Sequence, residues 1–183
     1  MEEQIMNMPA VALRGLTILP GMIAHFDISR ERSLRAVEEA MEQDQKIYLV
    51  TQRNVDSEDP TQEDLYQMGI VADIKQVVRL QNDVVRILVD GISRAALLGF
   101  TGNEKYLEAE ICYCDSNADS LPEDLREAML LGVREAFHRY AAVVGKISKE
   151  LIRQIDQYED LEKLIDYVTN NPVSYTHLTL PTN

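Results

Sequence analysis

Cysteines, cations and histidines are few in this sequence, and long apolar runs are missing; each shortage excludes something. Two cysteines, Cys112 and Cys114, cannot build a disulfide framework, so a reducing, cytoplasmic setting is the default. No apolar stretch approaches the roughly 20 residues that a membrane-spanning helix needs. The acidic opening Met1-Glu2-Glu3-Gln4 is unlike the cationic start of a secretory leader. Lysine and arginine number 18 against 31 acids, a formal charge of −13, and no basic run is visible. A nucleic-acid surface works by neutralising phosphates with cations, so no nucleic-acid partner is expected. The acidity names no partner either, because a solubilising surface accounts for it.

Chemistry is equally sparse. No stretch reads G-x-x-x-x-G-K-[ST], so nothing cradles nucleotide phosphates through backbone amides. His25, His138 and His177 fall on separate elements without metal-ligand spacing. Cys112 and Cys114, two apart on one strand, face the same side; they would supply half a zinc site, and simple packing is the plainer reading. Carboxylates are numerous, but no motif picks out a reacting pair. The sequence therefore predicts no catalytic residue, no cofactor and no metal.

What is present describes an ordinary globular chain, with 45% apolar and 27% charged residues in 183, enough for one domain with a small satellite. Its organising stretch is Pro9–Ser33, two alternating apolar runs on either side of Arg14-Gly15 and Pro20-Gly21. The residues between those breaks, Leu16–Leu19, are too apolar for a solvated loop. Further strands are expected at Lys46–Thr51, Ile70–Leu80, Val84–Val89, Ser93–Phe100 and Leu107–Tyr113, in addition to Ala10–Leu13 and Ile23–Ile28. Gln81-Asn82-Asp83 reads as a tight hairpin turn. Short strands at this spacing point to a small barrel or sandwich. Ser29 is the expected cap of one helix, whose apolar face (Leu34, Val37, Ala40, Met41) should cover the barrel. Thr61 and Asp64 suit a capping box on a short helix.

The polar break Asp115–Ser120 ends this β-rich part. Beyond it Pro122 suits a first helical turn, and Leu125, Met129, Val133, Phe137 and Ala141 form a stripe spaced by four. Two shorter helices are expected at Ile147–Gln157 and Glu159–Thr169. The organisation is α+β: a β barrel with one covering helix over 5–117, then a helical subdomain over 118–172. The Thr-rich remainder, 173–183 (VSYTHLTLPTN), reads as a tail foreign to the domain, with a final strand at Tyr175–Leu180 as the alternative.

Two features favour binding. Pro20 and Met22 flank a glycine in the apolar loop, which suggests an outward, adaptable rim. Arg30-Glu31-Arg32 sets two cations at the positive end of a helix, locally unfavourable by about a few tenths of a kcal/mol each.

The same residues carry a resemblance. Pro9, Leu13-Arg14, the run Leu16–Leu19, Pro20 with Met22, and Ser29-Arg30-Glu31-Arg32-Ser33 resemble the start of the N-terminal domain of the Lon family of ATP-dependent proteases. The likeness continues through Val50-Thr51-Gln52, Asp59-Pro60, Asp64-Leu65-Tyr66, Gly69–Ala72, and Val84–Gly91 with Arg94-Ala95, covering Met8 to about Pro172. It implies a barrel of the PUA-like type followed by a helical bundle. It also implies a non-catalytic role, recognising unfolded or damaged polypeptides and supporting a hexamer. The ATPase and Ser-Lys protease regions of that family would lie beyond Pro172. The charged segment Arg30–Arg32 becomes a candidate polypeptide contact, alongside Pro20 and Met22. The alternative is a freestanding adaptor of the same fold that binds one protein partner.

Overall fold

The computed structural model describes residues 5–114, 120–145 and 147–176, with side chains described as far as Asn171. The chain divides into two compact units, Met1–Cys114 and Asp115–Asn183. The boundary stretch 115–119 lies outside the described residues.

The first unit contains β1 (Ile5–Leu13), β2 (Ile23–Ile28), α1 (Glu31–Glu42), β3 (Lys46–Thr51), β4 (Met68–Arg79), β5 (Val85–Phe100) and β6 (Glu108–Tyr113). Five strands pair in a ring: β1 runs parallel to β3, and β3–β4, β4–β5, β5–β6 and β6–β1 are antiparallel. β2 adds to the first half of β5 alone. Together with the helices this is an α+β fold.

Several strands are apolar on both sides, because each face meets a different core. Inside the ring pack Met8, Ala10, Ala12, Tyr48, Val71 and Ile111, among others. On the outer face Val11, Leu13, Ile47, Leu49 and Ile70 pack with β2 and with Ala36, Val37 and Ala40 of α1. A strand buried on both faces shows a continuous apolar run, as in Ile47-Tyr48-Leu49-Val50, rather than alternation. The covering role expected of α1 is met, with its buried face turned so that Met41 is 39% exposed and Ser33 is buried. Its cap is Arg30 rather than Ser29, and no side chain caps the first turn.

β5 is one strand where two were expected. It passes through Gly91 and changes partner there: Val85–Asp90 pair with β2, and Ala95–Phe100 pair with β6. At the Gln81–Val84 hairpin, Asn82 and Asp83 both take positive φ (+59° and +56°), the backbone a twisted two-residue turn requires. The Thr61 cap closes a single 3-10 turn, Gln62–Asp64, and the Asp64 carboxylate accepts both the N–H and the hydroxyl of Thr61.

The second unit is three helices, α2 (Glu123–Val144), α3 (Lys149–Gln157) and α4 (Leu161–Thr176). Pro122 caps α2 rather than occupying its first turn, and the buried face carries Leu130, Phe137 and Ala141. Leu125 and Met129 are exposed: a stripe spaced strictly by four drifts around a helix of 3.6 residues per turn, so its first members leave the core. Ser148 caps α3 through its hydroxyl, which accepts the Leu151 N–H at 3.2 Å. The backbone of α4 continues past Asn171 to Thr176, four residues into the stretch read as a foreign tail; residues 177–183 lie outside the described residues.

Candidate functional site

The loop between β1 and β2 is built from its own sequence. Ile18 is buried in the outer core, and the Thr51 hydroxyl donates to the Leu16 carbonyl at 2.9 Å. Past Leu19 the chain reverses: the Met22 N–H donates to the Leu19 carbonyl at 3.1 Å, with Pro20 in the second position and Gly21 at φ +72° in the third. That is the residue pattern a type II turn demands. The turn is strapped to β5, because Gly21 N–H donates to Gly91 O (2.8 Å) and Gly91 N–H donates to Met22 O (3.0 Å). Pro20 and Met22 are both half-buried, and Met22 packs against the outer core.

Gly91 is required at this strap. A methyl group there would lie 2.3 Å from the Leu19 carbonyl oxygen, a backbone atom that moves only if the turn moves. Gly91→Ala is expected to cost about 1–3 kcal/mol and to release the rim. Amide hydrogen exchange of Gly21 checks this: fast exchange in the variant is the expected result, and unchanged protection would contradict the strap.

Beside the rim lies a groove of about 460 Å³. Thr17, Ile18 and Leu19 of the loop line it together with Leu49, Gly69 and Ile70 and with Tyr66, Gln67 and Met68. Tyr66 and Met68 are each 47% exposed, large apolar side chains in contact with water. Two cations, Arg53 and Arg94, also line the groove, and among the described residues no acid does, although acids outnumber cations in the chain. Arg53 is fixed: its Nε donates to the Leu65 carbonyl at 2.8 Å, and its guanidinium sits 4.8 Å over the Tyr66 ring, within cation–π range.

The charged segment Arg30–Arg32 does not line this groove. Arg30 alone of the three borders a smaller cleft of about 200 Å³, with Leu13, Leu16, Phe26 and Ser33, and both arginines are engaged. Arg30 donates to the Gln52 side-chain oxygen (2.9 Å) and the Ser57 carbonyl (2.8 Å). Burial, and then the neighbouring Arg14 charge, pull the Arg30 pKa below its ordinary value. Arg32 reaches Asp59 at 3.5 Å and the Asn103 carbonyl at 3.3 Å. Glu31 pairs with Arg35 one turn along α1. The segment thus ties the start of α1 to the 52–59 loop, which offsets the unfavourable placing of its cations. Among the described residues no group of three His, Cys, Asp or Glu side chains is arranged to hold a metal.

The fold and loop described above have clear counterparts. The family model of the ATP-dependent protease La (LON) substrate-binding domain matches residues 7–178. The chain belongs to the LON substrate-binding domain family. It is 36% identical over 169 residues to the Lon protease of Lachnoclostridium phytofermentans, covering 92% of this chain and 21% of that protein. It is 35% identical over 168 residues to that of Clostridioides difficile, covering 90% of this chain and 21% of that protein. Lon protease 1 of Bacillus subtilis is 30% identical over 170 residues, 93% of this chain and 22% of that protein. The chain thus spans about a fifth of the length of the Lon proteases it matches, and full-length Lon relatives favour a Lon domain over a freestanding adaptor.

Two solved structures share the fold of this LON domain. The N-terminal domain of Mycobacterium avium complex Lon protease gives a TM-score of 0.57 at 16% identity, covering 90% of this chain and 99% of that one. The Lon N-terminal domain protein of Xanthomonas campestris gives 0.51 at 14% identity, covering 96% and 99%.

Sequence reading singled out Pro20 and Met22, which are not among the described residues lining the groove, and did not single out Arg53, Tyr66, Met68 or Arg94 as site residues. These four come from separate stretches: the β4–β5 pairing sets Ile70 opposite Arg94, and the bridge between Gln52 and Leu65, with the Arg53 N–H donating to the Asp64 carbonyl, brings Arg53 beside Tyr66. The usable signal was Tyr66 and Met68 themselves, two large apolar residues flanking Gln67 at the mouth of a strand.

Proposed function

We propose that this domain recognises unfolded or damaged polypeptides without chemistry of its own, for a parent that is an ATP-dependent serine protease acting in the cytoplasm. One observation carries the reading: an open groove lined by the exposed Tyr66 and Met68 and by Thr17–Leu19, the residues that lead into the strapped turn. Apolar side chains exposed by unfolding lose water on entering it, at about 25 cal/mol per Å² buried. Pro20 and Met22 hold the rim wall in place, with the thioether of Met22 adapting to what docks. The charged turn Arg30, Glu31, Arg32 serves as a second contact for polar stretches of a client through its exposed atoms, while its inward bonds fix the 52–59 loop. Such a surface binds each segment at about micromolar strength or weaker, and the copies within a hexamer add the rest through effective concentration. ATP hydrolysis and peptide cleavage are assigned to other regions of the parent, because this sequence carries no phosphate loop and no nucleophile–base motif.

The test is Met68→Asp. At a half-exposed position the change costs little stability but sets a charge in an apolar contact. Binding to an unfolded client is expected to weaken about tenfold, with the thermal midpoint moved by no more than a few degrees. Unchanged binding at unchanged stability would place client recognition elsewhere.

A further inference from the structure

A groove that merely gathers apolar surface needs no cation, yet this one has Arg53 and Arg94 and, among the described residues, no acid. Arg53 is the better defined of the pair. Its Nε is used by the Leu65 carbonyl and its flat face by the Tyr66 ring, which leaves its terminal nitrogens without a partner among the described residues. Asp64 of the 3-10 turn, whose carbonyl accepts the Arg53 N–H, has its carboxylate committed to Thr61 through two hydrogen bonds. The result is a guanidinium held rigidly beside apolar surface, with its two outer N–H groups facing solvent at the groove wall. A planar fork of this kind fits a carboxylate in two-point fashion, and its fixed pose lowers the ordering cost of engaging one.

We propose that the groove selects, among exposed apolar segments, those bearing an acidic side chain within one or two residues of the apolar anchor, with Arg53 as the specificity-determining residue. This rests on the polypeptide-binding reading and refines its substrate class.

The test titrates the full chain with a fluorescent peptide capped at both ends, carrying one aromatic anchor and a neighbouring Glu. Two companion peptides are identical except that one has Gln in place of Glu and the other ends in a free carboxylate beside the anchor and has no Glu. The Glu peptide is expected to bind about fivefold tighter than the Gln peptide at low salt, with the gap closing as salt rises. Arg53→Gln is expected to bind both equally, at the strength of the wild-type Gln complex, and Arg53→Lys to restore part of the preference. Should Arg53→Gln fail to fold, the wild-type comparison of Glu with Gln decides alone. Equal binding of the two capped peptides to wild-type protein overturns this inference while leaving the polypeptide-binding reading standing. Preference for the free-carboxylate peptide alone also overturns it, because the carboxylate recognised would then be a chain terminus. No measurable binding of any peptide overturns both readings.

Discussion

Gly69→Ala is expected to unfold the β-rich unit or to lower its thermal midpoint by more than about 10 °C. A methyl group on Gly69 would fall 2.4 Å from the Tyr48 hydroxyl oxygen, 2.5 Å from its ring carbon Cζ and 2.6 Å from the Leu49 carbonyl oxygen. None of these can retreat cheaply. Tyr48 is fully buried inside the ring of strands, and its hydroxyl donates to the Ala95 carbonyl at 3.1 Å. Burial also pushes the Tyr48 phenol above its ordinary pKa, so it stays protonated and able to donate. The Leu49 carbonyl belongs to β3, in register with Ile70 of β4. Overpacking costs roughly 1–3 kcal/mol, and displacing Tyr48 from a buried hydrogen bond adds roughly another 1–3 kcal/mol. The sum is a large share of the about 5–15 kcal/mol that holds a domain together. Urea titration followed by tyrosine fluorescence measures it. Tyr48→Phe added to Gly69→Ala should return part of the loss, since it removes the oxygen in closest conflict. A single variant as stable as wild type would mean that β3 and β4 do not meet as described.

Ile155→Ala is expected to be the most damaging single truncation in the helical unit. Ile155 and Leu164 are wholly buried, in a cluster with Leu130, Phe137, Ala141, Leu151 and Leu161. Removing three carbons from such a site costs about 2–5 kcal/mol, from lost transfer energy plus the cavity left behind. A three-helix unit with so few fully buried side chains has little reserve to absorb it. Hydrogen exchange read by mass spectrometry is the suitable probe. Protection should collapse in peptides from 123–171 and persist in those from 5–114. Equal loss in both would show that the two units unfold as one cooperative body rather than as separate foldons.

Most of the architecture was readable because core-facing runs leave a strong trace. Lys46–Thr51 and Ile23–Ile28 match β3 and β2 residue for residue, and Asn82-Asp83 announced its turn through side chains that tolerate positive φ. Errors arose where a local signal was weak or misleading. The first turns of β1, Ile5 to Asn7, are exposed, so no apolar periodicity marked them. Gly91 looked like the end of a strand, although its missing side chain serves the carbonyl of Leu19 crossing above it. Ser29 had the better capping chemistry, but Arg30 is anchored by Gln52 and Ser57, and tertiary bonds fixed the helix start one residue later. The groove was the least legible feature, because its lining comes from stretches distant in sequence, 17–19, 49–53, 66–70 and Arg94, that meet only in the fold.

The most direct measurement of the central claim is a fluorescence titration of the 183-residue chain with one model protein in two forms, native and permanently unfolded by reduction and alkylation. The account predicts saturable binding of the unfolded form at about micromolar strength, competed by an apolar peptide and reduced by Met68→Asp, with no binding of the native form. Equal binding of both forms, or unfolded-form binding that Met68→Asp leaves unaltered, would contradict it.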